Sequence, residues 1–275
     1  MTRNYCRRFP KDYGFIRTLY ITLFLYFVVW PAGFLFYNVK VNGRKNLEKG
    51  KRYVFTSNHT SYIDAPLLSI VANHPVAYMA KEELYTHKNP LIRFLVISLG
   101  SFGINREKPE SATIKSIIDI AKHTKWSFGI FPQGKTYPPD EQNFDEVKGG
   151  FVSIAKLAKM DIVPVAISGF DGYAFIPFSK HITLNIGKPI SYQLPEDEIL
   201  KQWVEYMKEK FSVGMVSLGC AKNQVDGELI ITHLVSLGLE QTYNPEEAEY
   251  IIINSCNLKF HFFCFKFNSL KMPIS

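Results

Sequence analysis

Asn58-His59-Thr60-Ser61-Tyr62-Ile63-Asp64 follows a short apolar run, Tyr53-Val54-Phe55-Thr56-Ser57, and precedes a second one, Ala65 to Val71. The first run reads as a buried strand and the second as the start of a helix. A His and an Asp therefore sit five residues apart at a strand-to-helix junction, where α/β proteins carry their chemistry. On a regular helix five residues turn the chain through about 500°, which leaves the two side chains roughly 140° apart. They meet only if His59 lies in the loop and Asp64 in the first helical turn. A His whose ring is oriented by a carboxylate is a general base. A second reading is purely structural: Ser61-x-x-Asp64 fits a capping box, with Asp64 serving the helix start and His59 an ordinary loop residue.

The chain on either side of this junction alternates in the manner of an α/β fold. Strands are expected at 39–42, 53–57, 76–80, 101–105, 127–131 and 162–167, the last interrupted by Pro164. Helices are expected at 90–99, closed by Gly100, and at 111–123, 150–158 and 196–210. This order argues for a mixed sheet flanked by helices. His59, Arg106 and Gly134 each fall just after an expected strand, and loops at neighbouring strand ends converge on one site.

The first 38 residues differ in kind. Arg3, Arg7, Arg8, Lys11 and Arg17 precede Leu19 to Tyr37, a run without a single charge. At 1.5 Å per residue that run makes roughly 28 Å of helix, near the thickness of a bilayer core. Pro31, in Trp30-Pro31-Ala32-Gly33, is expected to break or kink it. Two arrangements are compatible: one spanning helix with the basic residues on the cytoplasmic side, or a helix-turn-helix dipping into one leaflet with Arg and Lys at the headgroups. A net charge of +7 agrees with an anionic partner. No aromatic-basic interleaving or zinc-finger spacing favours nucleic acid. Cys6, Cys220, Cys256 and Cys264 are too scattered for a disulfide framework, which points to a reducing compartment.

Four blocks stand in order: Asn58-His59-x-x-x-x-Asp64, Gly103-Ile104-Asn105-Arg106, Phe131-Pro132-Gln133-Gly134 and Ile162-Val163-Pro164-Val165. Together they resemble the glycerolipid acyltransferases, whose best-known members acylate 1-acylglycerol 3-phosphate to phosphatidic acid. The resemblance covers roughly residues 19–210. It implies His59 as general base, Asp64 as the residue that orients it, and Arg106 as part of a phosphate clamp. It also implies that Gly134 lets the backbone approach the substrates, with Asn58, Gln133 and Lys135 beside it on the substrate side. The donor would be acyl-CoA or acyl carrier protein, with no metal and no other cofactor. The place of action would be the cytoplasmic face of the cell membrane, on membrane lipid. The third block departs from the family pattern, which has Glu where Gln133 stands and Arg where Thr136 stands. Gln133 still hydrogen-bonds but carries no charge, and Lys135 supplies a point charge rather than a bidentate fork. No G-x-S-x-G elbow is present, which argues against a serine hydrolase.

Beyond Lys210 a new pattern begins. Ser217-Leu218-Gly219-Cys220-Ala221-Lys222-Asn223, and a later strand running into Asn254-Ser255-Cys256, resemble the opening of the radical-SAM methylthiotransferases. That resemblance implies Cys220 and Cys256 as ligands of an iron–sulfur cluster. Two thiolates fall short of the four such clusters take, so inert thiols are the competing expectation. The expected organisation is a membrane-anchoring segment at 1–38, an acyltransferase domain at 39–210, a truncated methylthiotransferase-like segment at 211–257 with partial α/β structure, and an unpatterned tail at 258–275. An iron–sulfur or interaction module carried by the C-terminal segment is the alternative from another class.

Overall fold

A computed structural model describes residues 7–104, 111–138, 142–169, 172–173, 176–218, 231–232, 240–242, 250–255 and 263–266. The chain divides into two compact units. One comprises Met1–Thr136 and Val147–Trp203; the other comprises Tyr137–Glu146 and Val204–Ser275.

Among the described residues the larger unit is built on seven strands: β1 (Lys40–Asn42), β2 (Val54–Ser57), β3 (Val76–Lys81), β4 (Phe102–Ile104), β5 (Ser127–Ile130), β6 (Ile162–Ser168) and β7 (Thr183–Ile186). Their order across the sheet is β1-β7-β6-β2-β5-β3-β4. Strands β6, β2, β5, β3 and β4 are mutually parallel, and β7 turns the sheet mixed by pairing antiparallel with β6. Helices α1 (Phe15–Phe24), α2 (Trp30–Tyr37), α3 (Asp64–Ala72), α4 (Pro90–Ser98), α5 (Ser111–His123) and α6 (Gly150–Ala158) accompany it, and α7 (Glu196–Lys210) carries the division between the units. Strands buried on both faces read as continuous apolar runs, and Val54, Phe55, Val163 and Val165 are fully inaccessible here. Trp203 is also buried, and its indole N–H donates to Thr56 Oγ1 at 2.8 Å.

Three expectations change. Pro164 does not interrupt β6, which runs unbroken from Ile162 to Ser168. The ladder to β7 begins only at Val165, so the missing N–H faces the end of that ladder, where Pro164 O still accepts from Gly187 N–H at 2.8 Å. Pro31 does not break the N-terminal helix either. Helical structure continues from Phe15 to Tyr37 through a π-turn at Leu25–Val29, in which Trp30 N–H reaches back to Leu25 O. The wide turn takes up the proline, so there is no helix-turn-helix. Finally, the basic residues before this helix are largely consumed by the protein. Buried Arg8 donates twice to Ser101 O, at 3.1 and 2.9 Å; Arg7 pairs with Asp119 at 2.6 Å; Arg17 donates to Asp12 O and Ile97 O. Lys11 is exposed.

The helical stretch Pro10–Tyr37 is long and apolar enough to cross a membrane, its most apolar 18 residues having a mean hydropathy of 1.9. Only a narrow stripe of it is buried: Tyr13, Ile21, Leu25 and Gly33. A Cβ on Gly33 would lie 3.0 Å from Ile70 Cδ1, so glycine is what lets this helix approach α3. Phe15, Ile16, Phe27 and Phe34 point away from the protein.

The smaller unit contains a four-stranded sheet of β8 (Ser212–Leu218), β9 (Glu240–Thr242), β10 (Tyr250–Ser255) and β11 (Phe263–Lys266), ordered β11-β10-β8-β9. Strand β11 falls within 258–275, which was expected to lack pattern; it pairs antiparallel with β10 and sets Cys264 opposite Ile252. Its Phe-Cys-Phe core suits a strand, but four residues are too few to show alternation.

Candidate active site

The parallel strands β2, β5, β3 and β4 are neighbours, so their carboxyl ends lie along one edge of the sheet. His59 follows β2, Phe131 to Thr136 follow β5, and Lys81 ends β3. Such an edge is where open α/β sheets bind ligands.

His59 lies in the loop and Asp64 is the first residue of α3, so the two side chains meet: Nδ1 and Oδ2 are 2.8 Å apart. Asp64 is 0% exposed and His59 21%. A buried carboxylate must be fully hydrogen-bonded. Asp64 Oδ2 also accepts the N–H groups of Thr60 (2.6 Å) and Ser61 (2.8 Å), while Oδ1 accepts the Thr60 hydroxyl at 3.1 Å. Four donors thus converge on one carboxylate and hold the loop around it. The capping-box geometry is only half present. Ser61 receives Asp64 through its backbone, but its hydroxyl donates to Tyr173 Oη at 3.1 Å, and no side chain caps the helix. Orienting the imidazole and securing the loop are therefore jobs of the same oxygen.

A carboxylate acceptor at Nδ1 places the ring proton there and leaves Nε2 with its lone pair. The imidazole stacks on Phe131, with centroids 4.2 Å apart and planes at 17°. Phe131 is in turn stacked on Tyr78 at 6.5 Å. Tyr78 Oη bonds Ala65 O at 2.6 Å and Ser69 Oγ at 2.7 Å, which ties β3 to the first turns of α3. Burial pushes the Tyr78 phenol well up, so it remains a donor.

His59 faces a cavity of about 530 Å³. Its walls come from the N-terminal helix (Phe24, Val28, Gly33, Tyr37), from α3 (Ala65, Leu67, Ile70), and from β3 and beyond (Met79, Leu84, Val96, Leu99). Gly134, Lys135, Thr136 and Lys81 also line it. The cavity is thus lined mainly by apolar side chains, with Lys81 and Lys135 among its walls beside the imidazole. Gly134 has φ +74°, a left-handed conformation that disfavours any Cβ, as the chain turns back with its N–H on Phe131 O at 3.0 Å.

Two residues expected on the substrate side do not line the cavity. Asn58 is 0% exposed and spends its amide on Ile167, accepting its N–H at 2.8 Å and donating to its O at 2.9 Å. It extends the β2–β6 pairing by one step and aims the following residue. Gln133 is buried, and its Oε1 accepts the His59 backbone N–H at 2.8 Å. Both amides hold the His59 loop, one from β6 and one from the turn after β5. Arg106, Cys220 and Cys256 lie outside the described residues. The sequence alone assigns no role to Lys81, Phe131 or Tyr78. The available signal for Lys81 was its position as a charge ending an apolar strand, next to Glu82 and Glu83.

Comparison with known proteins bears on the same residues. The Acyltransferase family model matches residues 38–168. The 1-acyl-sn-glycerol-3-phosphate acyltransferase of Streptococcus pneumoniae is 31% identical over 151 residues, 54% of this chain and 54% of that protein, so the match spans about half the relative's length. The enzyme of the same name from Bacillus subtilis is 28% identical over 177 residues, 62% of this chain and 85% of that protein. Among solved structures, the 1-acyl-sn-glycerophosphate (LPA) acyltransferase PlsC from Thermotoga maritima is 24% identical, with 70% of this chain and 92% of that one covered and a TM-score of 0.48. The model of the uncharacterized protein family UPF0004 matches residues 212–261. There the ribosomal protein uS12 methylthiotransferase RimO of Aquifex aeolicus is 57% identical over 44 residues, which is 10% of that protein. Over residues 38–168, which carry the His59–Asp64 pair, the chain matches the acyltransferase family model and is similar to these enzymes.

Proposed function

We propose that the chain is a membrane-associated acyltransferase that moves a fatty acyl group from acyl-CoA or acyl carrier protein to the hydroxyl of a lysophospholipid, 1-acylglycerol 3-phosphate first among them, giving phosphatidic acid. The observation that carries this reading is an Asp64-oriented imidazole opening onto an apolar cavity of about 530 Å³ that also presents Lys81 and Lys135. His59 Nε2 takes the proton of the acceptor hydroxyl as its oxygen bonds to the thioester carbonyl carbon. The tetrahedral intermediate then collapses, the C–S bond breaks, and the imidazolium returns its proton to the departing thiolate. The buried Asp64 carboxylate stabilises the imidazolium in between. The apolar cavity suits an acyl chain. Lys81 and Lys135, together with Arg106 by family resemblance, suit a phosphate. The chain would work on the cytoplasmic face of the cell membrane, held there by its N-terminal helix, with the acyltransferase domain spanning about 39–210.

A second acceptor is the competing reading. Thr136 stands where the resemblance implies Arg, and Gln133 is occupied with His59 rather than with substrate. One assay separates the readings: thiol release from acyl-CoA with a panel of phosphorylated, neutral and amine-bearing lysolipids. Turnover with 1-acylglycerol 3-phosphate, and a KM for it that rises in Arg106→Ala far more than the KM for acyl-CoA, supports the proposal. Turnover only with uncharged acceptors overturns the phosphate assignment and leaves the acyl chemistry. No turnover with any acceptor overturns both.

A further inference from the structure

The loop after β6 presents large apolar side chains to solvent. Ile176 is 69% exposed and Phe178 is 53% exposed, although the unit has a well-filled core. Phe178 has φ +56°, a left-handed conformation unfavourable for a bulky side chain. The fold therefore holds a half-exposed aromatic ring in a disfavoured backbone state.

What fixes this loop is the end of the N-terminal helix. Phe178 N–H donates to Leu35 O at 2.6 Å, Ile182 N–H donates to Tyr37 O at 3.0 Å, and Lys40 N–H donates to Ile182 O at 2.9 Å. The rings of Phe34 and Phe178 meet edge to face at 5.9 Å. Phe34 and Leu35 are themselves exposed, at 61% and 38%. They belong to the same apolar run, Pro10–Tyr37, that is long enough to enter a membrane. The exposed surface of that helix thus meets Phe178 at Phe34 and Leu35, with exposed Ile176 two residues earlier in the same loop. Gly33 and Tyr37, in the same turns of α2, line the cavity that His59 faces.

We propose that Ile176 and Phe178 form a second membrane contact, a wedge that enters the bilayer beside the carboxyl end of the N-terminal helix. Two contacts at separate points of the sequence fix the orientation of the domain, whereas a single helix leaves it free to swing. The wedge sets the cavity wall formed by α2 against the lipid, where a lysolipid acceptor resides. This inference rests on the membrane-associated part of the proposed function and not on its chemistry.

The test uses the full chain and vesicles of phosphatidylcholine and phosphatidylglycerol that carry brominated acyl chains. Ile176→Trp places a reporter in the wedge, and Phe27→Trp places one on the exposed face of the helix; the emission of the three native tryptophans is subtracted from the parent protein. Quenching of both reporters supports the wedge. Quenching at 27 with none at 176 overturns it. Quenching at neither overturns the wedge together with the helix anchor, and leaves acyl transfer to be judged by thiol release. Independently, Ile176→Ser with Phe178→Ser should weaken vesicle partitioning by roughly 10- to 100-fold, the scale set by burying two half-exposed apolar side chains. Unchanged partitioning of the double variant would also refute the wedge.

Discussion

Asp64→Asn separates the two jobs that meet on one carboxylate. The substitution keeps an oxygen where Oδ2 stands and can turn its NH₂ toward the Thr60 hydroxyl, which is able to accept. All four partners of Asp64 can then stay in place. What changes is the charge. Hydrogen bonds to an ionised group contribute about 1.5–3 kcal/mol and neutral ones about 0.5–1.5. The three bonds to Oδ2 therefore weaken by roughly 1 kcal/mol each, a stability loss of up to about 3 kcal/mol. For a unit of nearly two hundred residues that corresponds to a melting temperature lower by roughly 5–10 °C. The effect on rate is larger, because the imidazolium formed when His59 takes a proton loses its counter-charge. A fall in kcat of ~10²- to 10⁴-fold is expected, with little change in acceptor KM. Steady-state thiol release and a thermal melt on the same preparation measure both. A variant that melts early yet turns over within threefold of the parent would mean that Asp64 only secures the loop.

His59→Ala should lower kcat by ~10²-fold or more while costing only about 1–2 kcal/mol in stability, since it removes one hydrogen bond and one ring stack; retained turnover would exclude the general base. Gln133→Met removes the acceptor for the His59 N–H and should lower kcat ~10-fold at constant acceptor KM, with Gln133→Glu restoring it. A change confined to KM would return Gln133 to the substrate. Gly134→Ala must adopt φ near +74° and should destabilise by about 1–2 kcal/mol, read by denaturant unfolding; an unshifted midpoint would show that the turn relaxes. Burial pushes the His74 imidazole below its ordinary 6.5, so the unfolded chain binds the proton more readily. Stability is then complete above about pH 6.5 and falls as the pH drops through the folded-state value. His74→Gln should flatten that acid slope, and equal slopes in both proteins would contradict the assignment.

Much of the sheet is legible in the chain because buried strands announce themselves as apolar runs; the edge strand β1, in Val39-Lys40-Val41-Asn42, is legible without one. Strand β7 is not: Thr183-Leu184-Asn185-Ile186 alternates over only four residues, too few to stand out, though it sits between β1 and β6. Helical geometry sets the condition under which His59 and Asp64 meet, and the structure meets it, with His59 in the loop and Asp64 opening α3. The roles of Asn58 and Gln133 are not legible, because their partners are backbone groups of Ile167 and His59. A backbone partner leaves no mark in residue identity. The cavity was equally hidden, since its walls come from segments as distant as Phe24, Ile70 and Leu99. A charge-free helix also shows no periodicity from which its buried stripe could be read.

The π-turn in the N-terminal helix governs phase. From Leu25 to Gly33 a regular helix would advance eight residues, about 800°, and set Gly33 some 80° away from Leu25 around the axis. A turn closed by a bond five residues back takes one extra residue, which brings the advance to about 700° and returns Gly33 to within roughly 20° of Leu25. Ile21, Leu25 and Gly33 then lie on one line facing the domain. The segment Leu25–Val29 therefore carries one residue more than the phase requires. Deleting any one of the five leaves seven residues, about 700° of regular helix, so Gly33 keeps its direction toward Ile70. Inserting a residue instead rotates everything after it by about 100° and turns Gly33 away from α3.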